Sequence, residues 1–290
     1  MKKIIISIPA YNEEATIEQV IREIKTIMSN KYNYKILVLN DGSSDRTEEL
    51  ARASGAIVKS HSRNLGLAET FKTEMQECIK LKADIIVHTD ADGQYPSEYI
   101  PLMIEKINEG YDLVLGSRFG RGKYSESLMK KLGNIAFAKV FSGLLKTKLT
   151  DTTTGFRAFT LEVAKLPLIN DFTYTQEQLI RAGKSKMRIA EVPITTKKTR
   201  KSRLFKNPFD YAVKAWINIF RIYRDFAPLK FFGKIGFSFL LAGFLVGLWL
   251  VYNFISTGRV GHVPLTILAI LLIILGLQII LFGFLADMRR

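Results

Sequence analysis

The sequence predicts an α/β domain on a mostly parallel sheet, followed by a membrane anchor. Three observations carry this reading. Short β-branched or apolar runs recur at Ile4 to Ile8, Lys35 to Asn40, Ala56 to Ser60, Asp84 to His88 and Asp112 to Leu115, with helical spacing between several of them. Carboxylates collect just after these runs, where open α/β sheets bind their ligands. Two late segments, Ile235 to Ser256 and Val263 to Ala286, carry no charged residue, and each is long enough to cross a hydrocarbon core of about 30 Å as a helix.

Taken in order, the first run follows Met1-Lys2-Lys3, and Pro9 with the acidic Glu13-Glu14 cuts its apolar segment too short for a signal sequence. It reads as strand one. Ile17, Ile21, Ile24 and Met28 recur at the spacing of one buried helix face. The second strand ends in Asp41-Gly42-Ser43-Ser44-Asp45, a turn whose last residue can cap the next helix. Ala56 to Ser60 is strand three, and Asn64-Leu65-Gly66 opens a helix to about Leu81. The buried strand Asp84 to His88 then delivers Thr89-Asp90-Ala91-Asp92-Gly93-Gln94-Tyr95. In an extended chain Asp90, Asp92 and Gln94 point one way. Such hard oxygen ligands suit a divalent cation whose shell a substrate diphosphate completes. No G-x-G-x-x-G follows strand one and no G-x-x-x-x-G-K-[ST] occurs, so a metal would do the work of a glycine-rich phosphate cradle. Arg118 stands just after the strand Asp112 to Leu115, where a guanidinium can take phosphate through two N–H bonds. His61 and His88, at and inside strands, read as structural.

Charge location excludes one class of partner. The chain of 290 residues has net charge +15 and a pI of about 9.7, and eleven Lys/Arg against Asp210 and Asp225 lie between Thr195 and Lys234, just before the first apolar segment. A basic stretch beside a bilayer meets anionic headgroups, so nucleic acid is not the expected partner. Arg289 and Arg290 follow the second segment, while the loop Thr257 to His262 holds one Arg. The positive-inside rule then places both termini in the cytoplasm of a multi-pass cell-membrane protein. From Asn207 to Phe226, Phe209, Val213, Trp216, Phe220 and Tyr223 line one side of a helix and charges the other, a pattern suited to lying in the headgroup layer. The expected organisation is a catalytic domain over 1–206, an amphipathic segment over 207–230 and a two-helix anchor over 231–290. The anchor leaves homo-oligomer formation open. The single cysteine, Cys78, allows no internal disulfide and reads as a core residue.

Four motifs in order carry a resemblance. Ile8-Pro9-Ala10-Tyr11-Asn12-Glu13-Glu14, Asp41-Gly42-Ser43-Ser44-Asp45, Asp90-Ala91-Asp92-Gly93-Gln94 and Gly116-Ser117-Arg118 resemble the family 2 glycosyltransferases with the GT-A fold. The later Asp151-Thr152-Thr153-Thr154-Gly155-Phe156-Arg157-Ala158 and Glu191-Val192-Pro193-Ile194, with the paired apolar segments, narrow the likeness to the polyprenyl-phosphate glycosyltransferases, such as the dolichol-phosphate mannose and glucose synthases. The resemblance implies a nucleotide-sugar donor of the GDP or UDP type, a dolichyl or undecaprenyl phosphate acceptor, and Mg²⁺ or Mn²⁺. It places Pro9, Tyr11 and Glu13 beside the base and ribose, Asp41 in hydrogen-bonding distance of the base, and Asp90, Ala91, Asp92 and Gln94 around the diphosphate and metal. Arg118 joins them at the phosphates, and Arg203 resembles the family's late phosphate-binding Arg. Lys130, Lys131 and Arg157 are the acceptor-phosphate candidates, although the family often has Arg where Lys130-Lys131 stands. Asp151 is expected near the anomeric carbon, as a base or as an orienter of sugar and Arg. Two rivals share parts of this pattern: a processive polysaccharide synthase and a non-catalytic nucleotide-sugar sensor. Gln178-Leu179-Ile180-Arg181 is followed by Ala182, not the Trp of the synthases' Q-x-x-R-W motif, and two spans are few for a polymer channel.

Overall fold

A computed structural model describes residues 1–29, 31–119, 128–145, 147–168, 174–197, 217, 220–221, 223–259 and 263–288. The chain divides into two compact units, Met1–Ala212 and Val213–Arg290.

The first unit is an α/β domain. Its strands are β1 (Lys3–Ala10), β2 (Asn33–Asn40), β3 (Ile57–Ser60), β4 (Ile85–His88), β5 (Leu113–Ser117), β6 (Arg157–Thr160) and β7 (Ile189–Pro193), arranged as β3-β2-β1-β4-β6-β5-β7. All neighbours are parallel except β6, which runs antiparallel to both β4 and β5. Helices α1 (Ile17–Met28), α2 (Thr47–Ala53), α3 (Leu67–Lys80), α4 (Ile100–Asn108), α5 (Leu128–Leu145), α6 (Leu161–Ala164) and α7 (Tyr174–Lys184) fill the connections.

Pattern and packing agree at β1, whose residues 4–10 are all buried. Ile4, Ile6, Ile8 and Ala10 form one core with Ile17, Val20, Ile21, Ile24 and Met28 of α1 and with Ile100, Met103, Ile104 and Ile107 of α4. Alternate strand residues face the other side, where α3 packs on β1 and β2 and buries Phe71, Met75 and Cys78. Covering on both faces is what permits near-continuous apolar strands in a parallel sheet. The carboxyl ends of β1, β2, β4 and β5 consequently lie along one edge of the sheet.

The antiparallel β6 was not anticipated by the strand pattern, because the run of four residues is short and begins with a charge. Its entry reverses the chain so that the loop before it, 150–156, returns to the same edge as the ends of β4 and β5.

The second unit contains α8 (Pro228–Thr257) and α9 (Val263–Met288), with mean hydropathies of 2.1 and 3.0 over their most apolar windows and most side chains exposed. Each contains its predicted span, and α8 starts seven residues earlier than Ile235. The two pack through glycines: a Cβ at Gly276 would stand 2.6 Å from the Gly236 carbonyl oxygen, and one at Gly243 would stand 2.8 Å from that of Ala269. Such close backbone approach is how helices associate where lipid removes the hydrophobic drive. Ile217, Phe220, Arg221 and Tyr223 to Phe226 are helical, and the Phe220 and Tyr223 rings contact Phe231 at 5.6 and 6.1 Å between centroids. Most of the expected amphipathic helix, including Trp216, lies outside the described residues.

Candidate active site

The first group of candidate residues stands where β1 and β2 end. Asn12, in the left-handed region at φ 52°, accepts from Ser44 N at 2.9 Å and donates its own N–H to Ser43 Oγ at 3.0 Å. Glu13 N donates to Thr47 Oγ1 at 2.8 Å, and the Glu13 carbonyl receives Thr16 N and Ile17 N at the start of α1. These bonds lace the two loops together. Pro9 is buried within β1, Glu13 is buried at the helix start, and Tyr11 stays exposed beside them.

Asp41 is the polar centre of this end. Its Oδ1 accepts from His61 Nδ1 at 2.8 Å and from Leu65 N at 2.9 Å, and its Oδ2 accepts from Gly66 N at 2.9 Å. Burial raises its pKa, but these three bonds outweigh it and hold the carboxyl below the usual Asp value. His61, read as structural, thus holds the Asp41 carboxylate, a partner that nothing in a lone His at a strand end marks.

The loop after β4 differs from the extended path expected of it. Residues 91–93 form a turn with Gly93 at φ 71°, closed by Asp92 Oδ1 accepting from Gln94 N at 2.9 Å. Asp90, Asp92 and Gln94 are thus presented by a tight Asx turn, which the Asp-x-Gln spacing with a glycine favours over an extended run. Ala91 is buried, and the Gln94 carbonyl accepts Lys197 N at 2.9 Å. Burial pushes the Asp90 carboxyl up to about 6; His88 opposes the rise and the charge of Asp92 adds to it. His88 itself is fully buried, 3.1 Å from Glu74 Oε2 and edge-on to Phe71.

The third group gathers at the end of β5. Asp151, fully buried, accepts from Arg118 Nε at 2.7 Å, Nη2 at 3.0 Å and N at 3.2 Å, and Arg118 Nη2 also donates to Thr153 Oγ1 at 2.8 Å. One edge of the guanidinium therefore lies against Asp151, which orients it. Glu191 of β7 holds this arrangement from behind, accepting Thr150 N and Asp151 N at 2.8 and 2.9 Å and the Thr150 hydroxyl at 2.7 Å. The loop closes on the Asp90 turn: Gly155 N donates to Tyr95 Oη at 3.3 Å, and a Cβ at Gly155 would stand 3.2 Å from Asp90 Oδ1. A side chain at 155 would press on the Asp90 carboxylate, so the glycine eases this approach.

Arg157 is a correction. It was expected to meet the acceptor phosphate, but it is fully buried in β6 and donates to the Thr154 carbonyl, the Thr175 carbonyl at 2.9 Å and Gln178 Oε1 at 3.1 Å. Burial lowers its pKa to about 10. Its guanidinium ties the 151–156 loop to α7. Lys130 and Lys131 fall in the first turn of α5, with side chains outside the described residues, as is Arg203.

Among the described residues no three His, Cys, Asp or Glu side chains converge on one metal position. The donor set nevertheless fits a hard divalent cation. Two Asp and a Gln on one turn are oxygen ligands, the desolvated Asp90 beside Asp92 is a pair that a cation would relieve, and substrate oxygens would complete the shell.

Residues 5–166 match the model for glycosyl transferase family 2, and residues 218–290 match the family 2 C-terminal transmembrane region. The dolichyl-phosphate hexose transferase of Haloferax volcanii is 37% identical over 193 residues, covering 63% of this chain and 78% of the relative. The dolichol-phosphate mannosyltransferase of Pyrococcus furiosus is 31% identical over 296 residues, covering 93% and 78%. The crystal structure of glucosyl-3-phosphoglycerate synthase from Mycobacterium tuberculosis, in complex with Mn²⁺, UDP and glucosyl-3-phosphoglycerate, superposes with a TM-score of 0.59 at 23% identity, over 75% of this chain and 80% of that one, and so shares the fold. The chain belongs to glycosyltransferase family 2, with a GT-A domain followed by that family's C-terminal transmembrane region.

Proposed function

We propose that this protein is an inverting glycosyltransferase that moves a hexose from a GDP- or UDP-linked donor to a polyprenyl phosphate at the cytoplasmic face of a membrane. The observation that carries the reading is the meeting of the Asp90-Asp92 turn with the Arg118–Asp151 pair, in a chain that also carries an apolar helical hairpin. Pro9, Tyr11 and Glu13 border the nucleoside, and Asp41 takes a hydrogen bond from the base. Asp90, Asp92 and Gln94 would hold Mg²⁺ or Mn²⁺, which would offset the negative charge growing on the leaving diphosphate.

The remaining roles follow from charge. Asp151 fixes the Arg118 guanidinium in one orientation, so positive charge is in place beside the diphosphate before reaction and costs no reorganisation. Both Asp151 oxygens already accept N–H bonds, and a lipid phosphate, with a second pKa near 6, is largely dianionic at neutral pH and needs no strong base to attack. Asp151 is therefore the orienting group. Arg203 adds a cation at the donor phosphates, and Lys130 and Lys131 supply cations for the acceptor, whose oxygen displaces the diphosphate in line and inverts the anomeric centre. The loop Thr257 to His262 faces away from the cytoplasm.

The test is release of nucleoside diphosphate from a nucleotide sugar by the purified full-length chain, with and without a polyprenyl phosphate. Release that depends on lipid phosphate, with one sugar per lipid, is the expected result. A growing glycan on one acceptor would point to a synthase, and nucleotide-sugar binding without release would point to a sensor.

A further inference from the structure

Resting on the reading of Asp41 as the contact to the base, we propose that the nucleotide site selects uracil over guanine, so that the donor is a UDP-sugar. The reason is the count of acceptor positions left on one carboxylate. An ionised Asp offers about four lone-pair directions, two on each oxygen. Asp41 Oδ1 already accepts from both His61 Nδ1 and Leu65 N, and Oδ2 accepts from Gly66 N. Among the described residues one acceptor position therefore remains, on Oδ2.

Guanine presents a ring N–H and a neighbouring amino N–H side by side, a pair that engages a carboxylate best with one bond to each oxygen. Here that geometry requires His61 or Leu65 to give up its bond on Oδ1. Uracil presents one ring N–H and needs one acceptor. Cytosine and adenine present an amino group beside a bare ring nitrogen, whose lone pair would face the carboxylate.

The bonds on Oδ1 are held firmly. Gly42 sits at φ 68°, and a Cβ there would collide with the main chain of Arg63 and Asn64, so the 63–66 loop rests directly on the end of β2. The other nitrogen of His61, Nε2, is 3.0 Å from Thr73 Oγ1 on α3, which fixes the ring from behind. The Asp41 side chain is only 6% exposed, so a base N–H left without a partner here would not recover one from water. Leaving such a donor unpaired weakens binding by roughly ten- to a hundredfold.

The experiment measures UDP and GDP binding to the full-length protein in detergent with Mg²⁺ by titration calorimetry, in the natural sequence and in His61→Ala. UDP is expected to bind at least about tenfold tighter than GDP. In His61→Ala an acceptor position opens on Oδ1, and the preference should narrow through a gain in GDP affinity. Equal affinities in the natural sequence, or tighter GDP, would overturn the uracil assignment while leaving the glycosyltransferase reading intact. A preference for UDP that His61→Ala leaves unchanged would overturn the lone-pair argument. Failure of both nucleotides to bind would overturn this inference together with the donor-site reading it rests on.

Discussion

The ends of β1, β2 and β4 are held by hydrogen bonds within and between short neighbouring loops, whereas the ends of β5 and β6 are held by charged side chains reaching across the sheet. On the first side Asn12 ties to Ser43 and Ser44, Glu13 N ties to Thr47, and Asp92 closes its own turn onto Gln94. On the second side Glu191 grips the main chain of Thr150 and Asp151, Asp151 grips Arg118, and Arg157 joins the Thr154 carbonyl to that of Thr175. Most bonds on the first side join main-chain N–H groups to hydroxyl or amide oxygens, so losing one costs about a single hydrogen bond, even where it joins residues 31 to 34 positions apart, as at Asn12 and Glu13. The charged side rests on buried ions, which are costly when they lose a partner. The nucleotide side should therefore fail by losing donor affinity, and the charged side by losing positioning or stability.

The largest effect is expected at Asp92. Asp92→Asn should lower sugar transfer by about a thousandfold or more, the equivalent of roughly 4 kcal/mol in transition-state stabilisation, with an unchanged melting temperature. Transfer of radiolabelled sugar in Mg²⁺ or Mn²⁺ measures it, and near-normal turnover would remove this turn from the metal site.

Next is Arg157→Met, which leaves two carbonyls and Gln178 without their buried donor. A loss of about 3 to 5 kcal/mol of stability is expected, read as a lower thermal midpoint in detergent. An unaltered midpoint combined with a raised KM for lipid phosphate alone would return Arg157 to the acceptor side.

Arg118→Met sharpens the division further. It should reduce kcat by roughly a hundredfold, as removal of one oriented charge-stabilising group does, while UDP or GDP affinity stays within about threefold. If affinity falls in parallel with kcat, the two sides are not separable.

The smallest effect is in pH. The carboxyl of Asp90 titrates at about 6 in the fold, above an ordinary Asp, so it is charged above that pH and protonated below it. Protons then compete with the cation, and metal-dependent nucleotide binding should weaken by up to about tenfold per pH unit below 6. Calorimetry between pH 5 and 7.5 tests this as an order-of-magnitude trend, and a flat profile would show that Asp90 stays ionised throughout.

Much of this molecule was legible from sequence because it is written in short-range periodicity. The apolar run of β1, the helical spacing of Ile17, Ile21, Ile24 and Met28, the turn chemistry of Asp41 to Asp45 and the uncharged runs of α8 and α9 are each local patterns with one physical solution. β1, α1 and α9 end within a few residues of their predicted limits, while α8 starts seven residues before its predicted span. The pieces that escaped are long-range. His61 and Asp41 are twenty residues apart, and Glu191 and Asp151 forty. Neither pairing leaves a trace in spacing.

Arg157 shows the same division at a single residue. Its sequence neighbours place a cation beside an expected acceptor loop, and sequence alone supports a phosphate contact. Only β6, running antiparallel between β4 and β5, turns that side chain into the protein and onto main-chain carbonyls. Periodicity and turn chemistry settle which residues are strand, helix or loop, because those preferences act over a few bonds. Which charged group meets a partner and which meets substrate is settled by strand order and burial, because desolvation lets a buried ion persist only where distant residues satisfy it.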